Sequence, residues 1–320
     1  MANYILRRLL IAIPTLLVIS FVIFAVLALA PGDPMSQFAR NPSVPEEVRE
    51  NIRRSLGLDR PWYQRYGFWL VNVVTRGDLG FSFNSRVPVT DLIGQRIPQT
   101  LWTVGISYLV ALAIAVPIGV ISAVKQYSWF DRIATTAAFV GFSVPSFAIG
   151  LLIIVIFAVN LKWFPMIYDT TLKVVDLESL GKQMRQIAMP VIVLAVQQSA
   201  DVTRFLRSSM LDNLPLDYVR TARAKGMRER AVVTGHVLRN SLIPVVALIS
   251  LGIPGVFAGA IITETLFRVN GIGELLIRST QLNDTPVVMA ITFIYAVLVV
   301  VFNLVADVLY GVLDPRIRYS

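Results

Sequence analysis

The chain has no cysteine, a single histidine and only 15% charged residues among its 320 positions. Without Cys there are no disulfides, thiolate zinc sites, iron–sulfur ligands or thiol nucleophiles. His236 has no second imidazole to join in a metal cluster. Soluble chains carry roughly 25% charged residues, whereas this one is 55% hydrophobic with a mean hydropathy of +0.67. That composition leaves too little polar surface to cover soluble domains and identifies a membrane protein. Nucleotide-loop chemistry is missing too. No G-x-x-x-x-G-K-[ST] stretch occurs, Gly181-Lys182 lacking both the upstream glycine and the following hydroxyl, and H-E-x-x-H, G-x-S-x-G and EF-hand patterns are absent. No catalytic residue, cofactor or metal is therefore expected, and the energy for any transport must come from an ion gradient or another polypeptide.

What the chain does have is long apolar runs. A spanning helix needs about 20 such residues, and uncharged runs cover 9–30, 100–124, 133–161, 240–263 and 285–306. A sixth, 186–200, is shorter, but its helical pattern continues through Arg204 and Phe205. The expectation is an all-α polytopic membrane protein with six transmembrane helices. Arg7 and Arg8 precede the first run in the manner of a signal peptide. Its length and the poor cleavage site Pro31-Gly32-Asp33-Pro34 point to an uncleaved anchor.

The net charge of +9 would suggest nucleic acid in a soluble protein, but in a membrane protein its placement matters more. The 204–239 segment holds eight basic and three acidic residues, a net of +5, whereas 31–98 holds nine basic and seven acidic. Basic loops stay inside, so both termini are expected in the cytoplasm, with 31–98 outside as a helical loop. Ser43-Val44-Pro45-Glu46 has capping-box spacing ahead of Val48, Ile52 and Leu56, with Gly57 as a stop. A second helix opens at Pro61, with Trp62, Tyr66, Trp69 and Val73 on one face. That face suits either packing at the membrane interface or docking of an external partner. The expected organisation is 1–30 as cytoplasmic N-terminus and first span, 31–98 as the outer loop, 99–312 as a five-helix core with a coupling segment at 208–239, and 313–320 as a cytoplasmic tail.

Ionisable groups inside spans are the usual sign of ion coupling. Here they are Asp201, Glu264 and Asp307, all near span ends. Gln197, Asp201, Arg204 and Ser208 share one helix face, with Asp201 and Arg204 spaced to pair. Gly252-Ile253-Pro254-Gly255 in the fifth span is a candidate gate, by analogy with broken helices that line cavities.

The basic segment contains a helix-sized stretch. Pro215 fits a first turn, strong helix formers run to Lys225, and Gly226 suits a left-handed C-terminal position. A second basic stretch, 228–239, leads into the fifth span. Two short helices joined at a glycine and protruding from the bilayer form a lever that a soluble partner can grip; an anionic-lipid retention loop accounts for the charge alone.

These residues carry a resemblance. Tyr218-Val219-Arg220-Thr221-Ala222-Arg223-Ala224-Lys225-Gly226 followed by Leu238-Arg239-Asn240-Ser241-Leu242-Ile243-Pro244 resembles the coupling segment of binding-protein-dependent ABC importer permeases. The nearest branch is the B-type subunit of the dipeptide, oligopeptide and nickel importers. The likeness extends over almost the whole chain, through Tyr4-Ile5-Leu6-Arg7-Arg8, Leu56-Gly57-Leu58-Asp59, Gly77-Asp78-Leu79-Gly80-Phe81-Ser82, Ser143-Val144-Pro145-Ser146-Phe147, Gly271-Ile272-Gly273, Asn303-Leu304-Val305-Ala306-Asp307 and Asp314-Pro315-Arg316. It departs from the general permease pattern E-A-A-x-x-x-G-x(9)-I-x-L-P. Arg220 stands at the Glu, Thr221 at the first Ala and Arg239 at the Pro, while Ala222 and Gly226 agree and the nearest proline is Pro244.

The resemblance implies a type I ABC importer permease fold and a noncatalytic transport subunit for di- or oligopeptides in a bacterial inner membrane. Its implied partners are a second, different permease, two ATPase subunits, an extracytoplasmic substrate-binding protein and membrane lipid, with no nucleic acid. Tyr218, Thr221, Ala222, Arg223, Lys225, Gly226 and Met227 are the expected ATPase-coupling residues; the small Ala222 and Gly226 would let the helix sit deep in an ATPase groove, with Arg223, Lys225 and Arg228 fastening it. Gln197, Asp201, Gly252, Pro254 and Asn303 are the candidates for a path or gate. Nickel-complex or glutathione-like cargo remains open within the family. A secondary carrier using Asp201 or Asp307, or a membrane scaffold, stands outside it.

Overall fold

A computed structural model describes residues 2–29, 47, 50, 54 and 59–313. The capping box at Ser43 and the Val48, Ile52, Leu56 and Gly57 pattern fall outside the described residues, as does the tail from 314. The described chain is helical: α1 (Ala2–Leu29), α2 (Trp62–Arg76), α3 (Val89–Val124), α4 (Trp129–Ser143), α5 (Ser146–Ile153) continuing as a π-helical turn over Ile154–Asn160, α6 (Leu177–Asn213), α7 (Asp217–Ala224), α8 (Glu229–Val232), α9 (Leu238–Phe267), α10 (Ile272–Gln281) and α11 (Thr285–Leu313).

Four stretches are long and apolar enough to cross a membrane: Leu6–Leu29, Val89–Val124, Glu229–Phe267 and Thr285–Leu309. The run at 133–161, expected as one span, is a pair of helices bent by 103°. The break falls on Val144, which is extended at φ −85° and ψ 126°, because the ring of Pro145 disfavours a helical conformation in the residue before it. Counted as one span, the pair is the fifth. The expected sixth lies in α6, whose 37 residues give the length but whose composition is more polar, so it is not among the spans that length and apolarity define. α6 starts on a capping box, the Asp176 side chain accepting from Ser179 N at 2.7 Å. Outward faces of α1, α4 and α5 are apolar, with Val18, Val26, Ile133 and Leu152 each more than half exposed, as a lipid-facing surface requires.

α3 lies along α6, and α9 packs between α6 and α11. Gly119 on α3 sits so close to α6 that a Cβ there would come within 3.2 Å of both the Thr203 carbonyl and Leu206; small residues of this kind let helices approach in lipid. Ser209 and Ser241 stitch α6 to α9, each hydroxyl donating to the other's carbonyl at 3.0 and 3.2 Å. α1 rests on α11, with Arg8 on Asp307 at 3.2 Å.

α2 opens after Pro61, as the sequence indicates, and ends on left-handed Gly77. Its aromatic face is used within the chain. Phe21 and Phe24 of α1 meet Trp62, Tyr66 and Trp69, and Trp69 meets Phe293 of α11 with centroids 5.3 Å apart. The Tyr66 and Ser20 hydroxyls share a 2.9 Å hydrogen bond. The face thus packs on α1 and α11, a contact between helices distant in sequence.

Candidate functional site

The two ends of the bundle are built differently. The end carrying α7 and α8, here the basic end, is an aliphatic core. Val219 and Ala222 of α7 and Val232 beyond it are 0, 5 and 0% exposed, against Leu206 and Met210 of α6, Ala115 and Ala123 of α3 and Val245 of α9. α7 is thus a short amphipathic helix lying on three long ones. Its outer face shows Arg220, Thr221, Arg223, Ala224 and Lys225, continuing into Gly226 and Met227. Gly226 takes φ +77°, with open space where a Cβ would stand, so backbone conformation rather than crowding selects glycine. Ala222 points inward; its small side chain serves the packing of α7 on its own chain, in place of the expected close approach to a partner. Tyr218 is partly buried and donates to Asn213 Oδ1 at 2.9 Å. Arg223 is clamped on Glu229 through two bonds of 3.0 and 2.6 Å, closing α7 onto α8. Lys225 and Arg228 have no ion pair among the described residues, so they are the exposed cations of this surface.

Beneath this layer, Asp131 at the start of α4 is 3% exposed and accepts from Arg207 Nε and Nη2 at 2.6 and 2.8 Å. It also accepts from Tyr127 N at 2.8 Å. This bidentate clamp binds α4 to α6 one turn before the coupling segment. The two residues are 76 positions apart, and no local pattern in a single sequence joins them.

Between α3, α6 and α9 lies a cavity of about 460 Å³. Gln197, Asp201 and Gly252 from the sequence-based set line it together, with Tyr108, Gln198 and Arg204 beside them. Arg204 pairs with Asp201 at 3.2 Å, as their spacing indicates, and lies 4.9 Å over the Phe142 ring. Gly252 faces the Tyr108 hydroxyl, which a Cβ would meet at 3.3 Å. Pro254 and Asn303 do not line this cavity. α9 runs unbroken through Pro254, so the broken-helix gate expected there is not formed. Asn303 borders a separate recess between α1 and α11, next to Arg8 and Asp307.

At the opposite end an apolar cluster of Val89, Ile93, Ile272, Leu275 and Ile291 is joined by buried carboxylates. Glu264, 0% exposed, accepts from Thr100 Oγ1 at 2.7 Å, Gly273 N at 2.7 Å and Glu274 N at 3.4 Å. Thr100 in turn accepts from Ile272 N at 2.9 Å. The Gly271-Ile272-Gly273 motif now has a cause. A Cβ at Gly271 would overlap the Glu264 carboxylate, and one at Gly273 would stand 2.5 Å from Ile261 Cα. Asp284, 2% exposed, accepts from Ser82 Oγ at 2.5 Å and from the amides of Phe83 and Asn84 at 3.0 and 3.1 Å, fixing the 82–85 turn. Tyr168 donates to Gln99, which also accepts from Gln183 at 3.1 Å, and Gln186 donates to Gln183 at 2.7 Å. All three ionisable residues considered for ion coupling are therefore bonded within the chain: Asp201 to Arg204, Asp307 to Arg8, and Glu264 to the start of α10.

A helical bundle with an open-sided, largely apolar cavity edged by a few polar side chains and a short amphipathic helix laid on one end has the architecture of a polytopic membrane subunit. Residues 1–104 match the model of the binding-protein-dependent transport system membrane component, N-terminal, and 115–319 match that of the binding-protein-dependent transport system inner membrane component. The chain belongs to this family and is an ABC importer permease, a multi-pass protein of the inner membrane. It is 42% identical to the oligopeptide transport system permease protein AppB of Bacillus subtilis (strain 168) over 320 residues, all of both chains. It is 38% identical to the glutathione transport system permease protein GsiC of Escherichia coli (strain K12), again over the full length of both.

Proposed function

We propose that this chain is the B-type permease of a peptide importer, paired with a second, different permease and driven by ATP hydrolysis on two separate cytoplasmic ATPase subunits. Cargo reaches it from an extracytoplasmic binding protein, and both chain termini face the cytoplasm. The observation that carries the peptide reading is the 42% identity to the oligopeptide permease along the whole of both chains. The cavity chemistry supports it. Amide side chains at Gln197 and Gln198, the Tyr108 hydroxyl and an Asp201–Arg204 pair offer partners to both the backbone and the charged ends of a short peptide. Glutathione, itself a peptide, is the second reading, favoured by the 38% identity to the glutathione permease.

The +5 charge of 204–239 supports the orientation, in which α7 faces the compartment of the ATPases. Tyr218, Thr221, Arg223, Lys225, Gly226 and Met227 make up or border that surface, with Ala222 anchoring it from beneath. Closure of the ATPases displaces α7. Because Val219, Ala222 and Val232 are packed on α3, α6 and α9, the displacement is transmitted to the helices that line the cavity. Packed interfaces move as units, so a tilt at α7 becomes a change in access to the cavity.

The test is uptake of labelled tripeptide and of glutathione into membrane vesicles holding the complete complex. ATP-dependent, vanadate-sensitive uptake is expected. Gly226→Trp puts a bulky, strained side chain on the docking surface and should abolish coupled uptake while insertion is normal; Gly226→Asn, which tolerates positive φ, should retain most of it. Normal uptake by Gly226→Trp, or uptake that follows an ion gradient without the ATPases, overturns the proposal.

A further inference from the structure

At the end opposite α7, a second cavity of about 460 Å³ opens between α1, α2, the 80–83 turn and the start of α11. Its walls are of two kinds. Phe24, Phe81, Phe83, Pro286 and Met289 make an apolar floor, while Arg54, Arg60, Arg65, Trp69 and Asn72 bring donors to it, and among the described residues no carboxylate lines it. Arg60 lies 4.8 Å over the Phe68 ring and Arg65 5.9 Å over that of Phe24. Neither has an ion pair among the described residues. Arg54 leans on Glu50 at 3.5 Å, both of them more than half exposed. The Trp69 indole N–H is buried and has no hydrogen-bond partner among the described residues, a state that costs free energy unless a ligand supplies an acceptor. Burial of Arg65 lowers its proton affinity, as expected of a cation withdrawn from water without a counter-charge.

Guanidinium groups held over aromatic rings, beside an unfilled N–H donor and an apolar floor, match an anionic amphiphile. The phosphate of the ligand would sit on the arginine forks, which suit its oxygens bidentately. The site opens onto exposed apolar surface: Phe68 and Phe81 of its own lining are 55 and 46% exposed, and Phe21, one turn before Phe24 on the same face of α1, is 43% exposed. An acidic loop of a soluble partner would use the arginines but leave Phe24, Phe81 and Met289 unmatched. We propose that this cavity binds one anionic phospholipid, its headgroup phosphate on Arg60 and Arg65 and its glycerol and upper acyl chain against Phe24, Phe81 and Met289.

The test is lipid retention by the intact purified complex, incubated with mixed phosphatidylglycerol and phosphatidylcholine and read by native mass spectrometry. Wild type is expected to retain phosphatidylglycerol in preference to phosphatidylcholine. Arg60→Ala/Arg65→Ala should lose that retention by roughly tenfold or more, and Trp69→Phe, which removes the N–H along with part of the ring and leaves both cations, should lose less. Arg76→Ala removes the same charge at the exposed end of α2, outside the cavity, and should retain lipid as wild type does. Equal retention of the two lipids, an unaltered double variant, or an equal loss in Arg76→Ala overturns the proposal. So does displacement of the lipid by millimolar inorganic phosphate, which would make the ligand a soluble anion.

Discussion

Both ends of the bundle have buried apolar clusters, but α7 is seated on its end by aliphatic side chains, whereas the opposite end adds hydrogen bonds to the buried carboxylates of Glu264 and Asp284, and the two kinds of contact permit different movements. Burial of Val219, Ala222 and Val232 is favourable over a range of tilts, because the hydrophobic effect is non-directional. Bonds from Gly273 and Thr100 to Glu264, or from the 82–84 turn to Asp284, weaken steeply when donor angles change. The end that carries α7 is thus tolerant of reorientation, and the opposite end is confined to a narrower range of shapes. The four effects below test that contrast in decreasing order of size.

The largest is expected at Glu264. Replacing it by Ala strands the Gly273 amide and the Thr100 hydroxyl in a buried site and opens a cavity, a cost on the order of 4 kcal/mol. Thermal unfolding of the purified complex should show the loss, together with release of α10 in hydrogen exchange. Glu264→Gln keeps the shape and one acceptor, and the Thr100 hydroxyl can turn to accept from the new amide, so its loss should be far smaller. Equal damage from both would show that charge rather than hydrogen bonding holds this end.

Asp131→Ala follows, at roughly 3 kcal/mol, because it leaves the Arg207 guanidinium largely buried and unpaired. Asp131→Ala/Arg207→Ala should recover part of that loss in the same measurement, which separates an abandoned charge from the intrinsic value of the pair. A double variant no better than the single would mean that Arg207 finds water or another acceptor unaided.

Val219→Ala removes two methyl groups from the core under α7, for about 1–2 kcal/mol. Its informative outcome is functional: a looser seat for α7 should lower the uptake obtained per ATP hydrolysed while ATPase binding persists. Unchanged coupling would place the transmission elsewhere than in this aliphatic layer.

How much of this was legible in the sequence depended on whether its cause was local. The run at 9–30, the Pro61 start of α2, left-handed Gly226 and the Asp201–Arg204 pair all follow from residues within a turn or two of one another. The inward direction of Ala222 was hidden because an alanine on an amphipathic helix can face either side, and only the burial of Val219 one turn earlier decides it. The run at 133–161 misled because apolar content continues across a break made by one proline. Gly271-Ile272-Gly273 was visible as a motif, and Glu264 as an ionisable group near a span end. That the first exists to let the second reach the backbone is a tertiary fact, as is the meeting of Asp131 with Arg207.

The smallest effect is expected at Arg223, even though its bond to Glu229 at 2.6 Å is as short as that of Arg207 to Asp131. Side chains 42 and 55% exposed are screened by water and salt, so Arg223→Ala should cost below about 1 kcal/mol. The loss should shrink further in high salt, whereas the Asp131→Ala penalty, arising in a buried site, should hardly respond. A large, salt-insensitive loss at Arg223 would mean that the α7–α8 joint is shielded in the assembled complex, covered by the subunit that grips it.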